Sequence, residues 1–144
     1  GDAEGLAEVA STGVPDTPST RPLPAKLGIK PGFAVCLLRP PTGFAAGLTP
    51  LPADVTFTAR PAPHLDLFIA FARSTGELSA HLAQLRPVIA RQTLWLAWPK
   101  KASGVTTDLD GNVVRVTGLD EGWVDFKICA VDATWSGLAF KKRR

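Results

Sequence analysis

The sequence predicts a three-layer α/β fold, with a mostly parallel sheet of about six strands and an antiparallel strand at the C-terminal end. Three observations predict it. Several strand-length runs are apolar throughout, the mark of strands covered on both faces. Segments with apolar residues at helical spacing alternate with these runs, the order that builds a parallel sheet from β-α units. The last two runs are separated only by Asp132–Ser136, a link short enough for a hairpin and hence for antiparallel pairing.

Residues 1–24 read as a flexible tail. Pro15, Pro18, Pro22 and Pro24 stand among Ser and Thr, with too little apolar surface to offset the entropy of ordering. Residues 25–144 form the domain. Ala25–Ile29 is a short helix stopped by Pro31-Gly32, and Phe33–Leu38 is the first strand, broken by Pro40-Pro41-Thr42-Gly43. Gly43–Leu48 reads as a short helix ahead of Pro50 and Pro52. Val55–Thr58 is the second strand and Leu65–Ala72 the third. Only about five residues, Pro61–Leu65, join these two, whereas a parallel crossover usually takes a dozen, so the direction of the second strand stays open.

The clearest helix follows. Ser74-x-x-Glu77 fits a capping box, in which the Ser hydroxyl and the Glu carboxylate satisfy each other's free N–H groups. Leu78, Leu82, Leu85 and Ile89 then form one apolar stripe, and Pro87 ends or kinks the helix at Arg86. Thr93–Trp98 is the fourth strand, followed by a loop through Gly104. Thr107-x-x-Asp110 is a second cap, with Leu109, Val113 and Val116 on one helical face and Gly118–Gly122 as the stop. Trp123–Val131 and Gly137–Phe140 are the fifth and sixth strands.

Composition bounds the function. The chain has 144 residues, 45% hydrophobic and 20% charged, enough for one ordinary domain plus a tail. No apolar run approaches the roughly 18 residues needed to span a bilayer, so no membrane partner is expected. Cys36 and Cys129 form no C-x-x-C and are too few for a metal cage. They read as buried free thiols in a reducing cytoplasm, with a long-range disulfide as the other reading. No basic-then-apolar leader opens the sequence, which also points to a cytoplasmic location. The net charge is +3, unevenly placed. Residues 1–20 hold Asp2, Glu4, Glu8 and Asp16 and no cation, so the rest sets sixteen Lys and Arg against the nine remaining acids, a net of +7. A basic body suits anionic partners, nucleic acid among them with weaker support, or simply supplies solubility.

Lys26-Leu-Gly-Ile-Lys-Pro-Gly32 before an apolar strand resembles the opening of class I methyltransferase domains, and Leu85–Trp98 resembles a later helix end and strand of that fold. Trp98-Pro-Lys-Lys-Ala-Ser-Gly-Val105, with Val131-Asp-x-x-Trp-Ser-Gly-Leu138, is similar to a family of short bacterial proteins of unknown function. The resemblance spans roughly Ala25 to Lys142 and implies a reduced Rossmann-like fold. It implies no particular activity, because the chain departs from the methyltransferase pattern where the cofactor would sit. That fold's loop after the first strand resembles G-x-G-x-G; here it is Arg39-Pro-Pro-Thr-Gly43, and two prolines remove two N–H donors. The family's second strand usually ends in an acid for ribose hydroxyls; here it ends Thr58-Ala-Arg60. The chain is also short by one β-α unit after that strand.

No catalytic set is evident, and no metal or cofactor is expected. His81 borders the stripe of its helix and reads as structural; His64 falls in a loop. Asp108, Asp110 and Asp120 lie at helix ends, where carboxylates cap. The Lys141–Arg144 run reads as a solvated end or a nonspecific anion contact. One pattern stands out. The first strand ends at Arg39, the second at Arg60, the third at Arg73 and the fourth at Lys100-Lys101, with Ser103 in the same loop. In a parallel sheet these ends share the edge where ligands of such folds bind. Trp98 and Trp135 are expected beside them as apolar planes. Cations with an aromatic plane suit a phosphorylated small molecule or nucleotide, although such residues also commonly solvate strand ends.

The leading reading is a non-catalytic binding domain holding a phosphorylated small molecule, nucleotide or acidic partner at this edge. A divergent S-adenosylmethionine-dependent methyltransferase-like enzyme is the alternative, and a ligand-free protein-interaction module the second.

Overall fold

The structure, a computed structural model, describes residues 22–143. Residues 1–21 of the expected tail lie outside them. The tail's last two residues are instead helical, since α1 spans Leu23–Leu27 with Pro24 in its first turn, where a missing N–H costs nothing. Gly28 ends α1 at φ 85°, and the N–H groups of Gly28 and Ile29 close onto the carbonyls of Ala25 and Pro24.

Strands β1 (Ala34–Leu38), β2 (Thr56–Thr58), β3 (Leu67–Phe71), β4 (Thr93–Pro99), β5 (Trp123–Ala130) and β6 (Trp135–Lys142) form one sheet in the order β2-β1-β3-β4-β6-β5. The first four are mutually parallel, and β6 runs antiparallel between β4 and β5. Helices α2 (Thr75–Leu85) and α3 (Gly111–Asp120) cover one face, where Leu78, Leu82, Leu85 and Val114 meet Phe68, Leu94, Leu96 and Phe140. On the other face Leu27, Ile29 and Leu48 meet Val35, Ile69, Phe71 and Trp95. The expected three-layer Rossmann-like architecture is present, closing antiparallel strand included.

β2 is parallel to β1, which settles its direction. No helix is needed because the strand is only three residues long. The eight residues 59–66 can reach about 28 Å when extended and return across the face of β1. Ala62 and Leu65 pack there into the α2 side of the core, and the Gln92 side chain donates to the Pro63 carbonyl at 2.9 Å.

Three local expectations are corrected. Residues 43–48 form turns rather than a helix, since a segment bracketed by prolines is too short to repay helix nucleation. Helix α3 runs through Gly118 to Asp120, and it buries Val114 and Gly118 while Val116 faces solvent. Strand β6 is twice as long as expected, because both its edges are paired.

Cys36 and Cys129 are free and buried, as expected, and lie on opposite faces of the sheet, which excludes a bridge between them. Burial pushes the Cys36 thiol up to about 11, so it stays protonated and unreactive.

Gly118 lies directly beneath Phe140, and an added Cβ would collide with that ring. In an open helix Gly→Ala gains about 1 kcal/mol. Here Gly118→Ala should instead cost about 1–3 kcal/mol, because the Phe140 ring is fully enclosed. Urea unfolding, read as a lowered midpoint, checks this.

Candidate functional site

The carboxyl ends of β1–β4 share one edge of the sheet. Arg39, directly after β1, has φ 55°, so the chain turns sharply as it leaves the strand. Its Nε donates to Glu77 Oε2 at 3.0 Å. Arg73 follows β3; its backbone N–H donates to Glu77 Oε1 at 2.7 Å, and its guanidinium reaches the Arg39 carbonyl at 3.4–3.5 Å. The same guanidinium stacks over Trp135, 4.9 Å from the ring centre, and Trp135 meets Phe71 edge-on.

Glu77 is therefore the hub. It sits in the first turn of α2, whose N-cap Ser74 accepts from the Glu77 N–H at 3.1 Å. The reciprocal half of the capping box is absent, because the carboxylate takes the Arg73 N–H and the Arg39 guanidinium instead. Desolvation pushes the Glu77 carboxyl up, but the bonds from Arg73 and Arg39 together outweigh it and hold it below the usual range. Asp108, ahead of α3, supplies a further cap by accepting from the Thr75 N–H and hydroxyl, both at 2.9 Å; these bonds hold its carboxyl below the usual range.

Of the expected residues, Arg39, Arg73 and Trp135 come together. Lys100 lies along the same edge, with Nζ donating to the Asp132 carbonyl at 2.8 Å. Ser103 accepts from the Val105 N–H and donates to the Lys100 carbonyl, so its hydroxyl shapes the loop. Lys101 is exposed in the 3-10 turn Lys101–Ser103. Arg60 is exposed past β2, on the shared edge because β2 is parallel. Trp98 and Trp135 are both corrected as apolar planes: Trp98 is buried among Leu94, Leu96 and Leu109, and Trp135 is buried against Phe71 with the Arg73 guanidinium over its ring. His81 is buried, with Nε2–H donating to the Phe71 carbonyl at 2.8 Å.

Two cavities flank the end of β1. One, of about 420 Å³, opens on the α2 side between Leu38, Arg39, Pro40, Ala59, Glu77 and His81. The other, of about 300 Å³, opens on the α1 side beside Thr42, Phe44, Leu48 and Asp132. The first combines apolar walls with a carboxylate and a guanidinium at its rim. Among the described residues no group of three His, Cys, Asp or Glu is placed to hold a metal, and no helix is long and apolar enough to cross a membrane.

Solved methyltransferase structures share this fold. Magnesium protoporphyrin IX methyltransferase from Synechocystis PCC 6803 with bound S-adenosylmethionine superposes with a TM-score of 0.57 at 14% identity, over 83% of this chain and 74% of that one. A putative type 11 methyltransferase from Sulfolobus solfataricus gives a TM-score of 0.57 at 13% identity, over 85% and 90%. The Synechocystis enzyme with bound S-adenosylhomocysteine gives 0.51 at 16% identity, over 78% and 75%. Identities this low establish the fold: the chain has the Rossmann-like architecture of class I methyltransferases. No protein-family model matches the chain, and no curated protein does.

Glu77→Gln should lower stability at pH 7 by about 1 kcal/mol, a charge-assisted pair discounted because Arg39 is largely exposed. A carboxyl held low in the folded state stabilises above its unfolded pKa of about 4.3, and that stabilisation is lost as the pH falls through the folded value. The gap between wild type and variant should therefore close in acid. Urea titrations at pH 7 and pH 3 check this, and a gap of constant size would assign the loss to packing.

Proposed function

We propose that this domain is a divergent S-adenosylmethionine-dependent methyltransferase-like protein, with the ligand held at the carboxyl end of β1. The observation that supports it most is the cavity beside β1 with the Glu77 carboxylate at its rim. Leu38, Ala59 and Ala80 give apolar walls for a purine ring, as in most small-molecule sites. Glu77 is the acceptor for ribose hydroxyls that the end of β2, with Arg60, does not provide. Arg39 and Arg60 are cations for the carboxylate of the amino-acid end. Pro40 and Pro41 donate no N–H, so these side chains replace the backbone cradle of a glycine-rich loop. The cofactor, when bound, supplies an electrophilic methyl group on a sulfonium. The smaller cavity near Phe44 and Asp132 lies on the opposite side of the β1 end, where an acceptor molecule has room to approach.

A second reading keeps the same cavity for a phosphorylated nucleotide without catalysis. The observation favouring it is the five cations Arg39, Arg60, Arg73, Lys100 and Lys101 along this edge, which outnumber the acids Glu77, Asp108, Asp110 and Asp132 by one.

Calorimetry with S-adenosylmethionine, S-adenosylhomocysteine and ATP tests both. The first reading expects S-adenosyl binding tighter than about 100 μM, roughly −5.5 kcal/mol, and at least a tenfold loss in Glu77→Ala. ATP binding without S-adenosyl binding selects the second. No heat from any of the three overturns both.

A further inference from the structure

The opposite edge of the sheet carries a second concentration of charge. A cavity of about 610 Å³ opens there, lined by Ala90 and Arg91 ahead of β4 and by Lys141, Lys142 and Arg143 at the end of β6. It is larger than either cavity at the carboxyl edge. Among the described residues, no acidic one lines it. All four cations are exposed, and none has an ion pair or a side-chain hydrogen bond among the described residues. Six of the ten other described cations are engaged, all but Lys26, Lys30, Arg60 and Lys101. Arg39, Arg73, Arg86 and Arg115 are each paired with a carboxylate, and Lys100 and Lys127 each donate to a carbonyl. The nearby Glu121 is already engaged by Arg86 through bonds of 2.6 and 2.8 Å, and Arg143 is tied by its backbone N–H to the Gly122 carbonyl.

We propose that this amino edge binds the phosphodiester backbone of a single-stranded nucleic acid. Four like charges held in one concavity with no counter-charge among the described residues repel one another, and a polyanion relieves that repulsion while releasing its own counterions. Concavity favours a strand over a membrane, since a flat lipid surface reaches the rim of a cleft but not its floor. A base platform lies close by. Val124 pairs with Lys141 in the ladder, and Phe126, two residues further along β5, is 54% exposed. Phe126 is outside the cavity's lining, on the strand along which a nucleic acid leaving the cavity past Lys141 would run, and an exposed aromatic there offers a base a surface to stack on.

Fluorescence anisotropy of the full chain with a labelled 12-nucleotide single strand tests the proposal. Binding in the micromolar range at 50 mM salt is expected. With four phosphates neutralised, raising the salt to 200 mM should weaken it about 50-fold. Arg91→Glu with Lys142→Glu should weaken it at least tenfold and flatten the salt dependence, Arg91→Lys with Lys142→Arg should retain it, and Phe126→Ala should weaken it several-fold. If the charge reversal disturbs folding, as read by circular dichroism, the double alanine variant serves in its place with about a fivefold loss. Unchanged affinity in the folded charge-altered variant overturns the proposal. So does binding to phosphatidylserine vesicles without binding to the oligonucleotide.

Discussion

The indole N–H of Trp95 must find an acceptor in the middle of the protein, and much of the architecture follows from the one it finds. Trp95 is 1% exposed on the central strand β4, and its Nε1 donates at 2.9 Å to the carbonyl of Leu27, the last residue of α1. A helix end leaves such carbonyls without intrahelical partners, so one bond satisfies two groups that would each be costly to bury alone. It also ties the first element of the described chain to the centre of the sheet. The ring needs space on its other side, and Gly137 of β6 provides it: a Cβ there would sit 3.1 Å from the indole. The alignment of β6 beside β4 thus depends on a missing side chain opposite a very large one.

The carboxyl edge is organised by a different economy of groups. Loops leaving β1 and β3 each bring an arginine, and a single carboxylate from α2 joins them. Because Glu77 also carries the N–H that Ser74 caps, the start of the helix and the two loops hold their positions together. The cavity beside β1 inherits its rim from this arrangement, so its shape is a property of the helix start as much as of the strand ends.

Much of this was legible in the sequence. Apolar runs marked the strands, Ser74 marked the start of α2 and the short last link marked the antiparallel strand, while the Thr107-x-x-Asp110 cap set the start of α3 three residues early, since Asp110 itself is the N-cap. The role of Glu77 was half legible: the cap spacing was visible, but the partner 38 residues away at Arg39 depends on which strands become neighbours. Trp98 shows a subtler loss. Alternation from Leu94 and Leu96 places it on the α2 and α3 face, yet a strand apolar on both faces gives no sign of which positions reach solvent. Val116 was misplaced because the buried side of α3 is chosen by the fit of Gly118 against Phe140, which no spacing rule contains. The cations of the amino edge were visible as a run, Lys141 onward, but Arg91 joins them only once β6 has returned beside β4.

The bulge in β5 between Asp125 and Lys127 has a bearing on how this protein meets copies of itself. β5 is one of the sheet's two outer strands, with Val124, Phe126 and Ile128 in solvent, while its two charged residues are turned inward to Arg115 and to the Lys26 carbonyl. A straight strand of that composition would be a template for unwanted pairing. A bulge interrupts the even spacing of N–H and C=O groups and increases the local twist, so an approaching strand finds the register spoiled after two or three residues. An apolar border is in this way made a poorer seed for aggregation, and its side chains are left free for contacts that do not require a ladder.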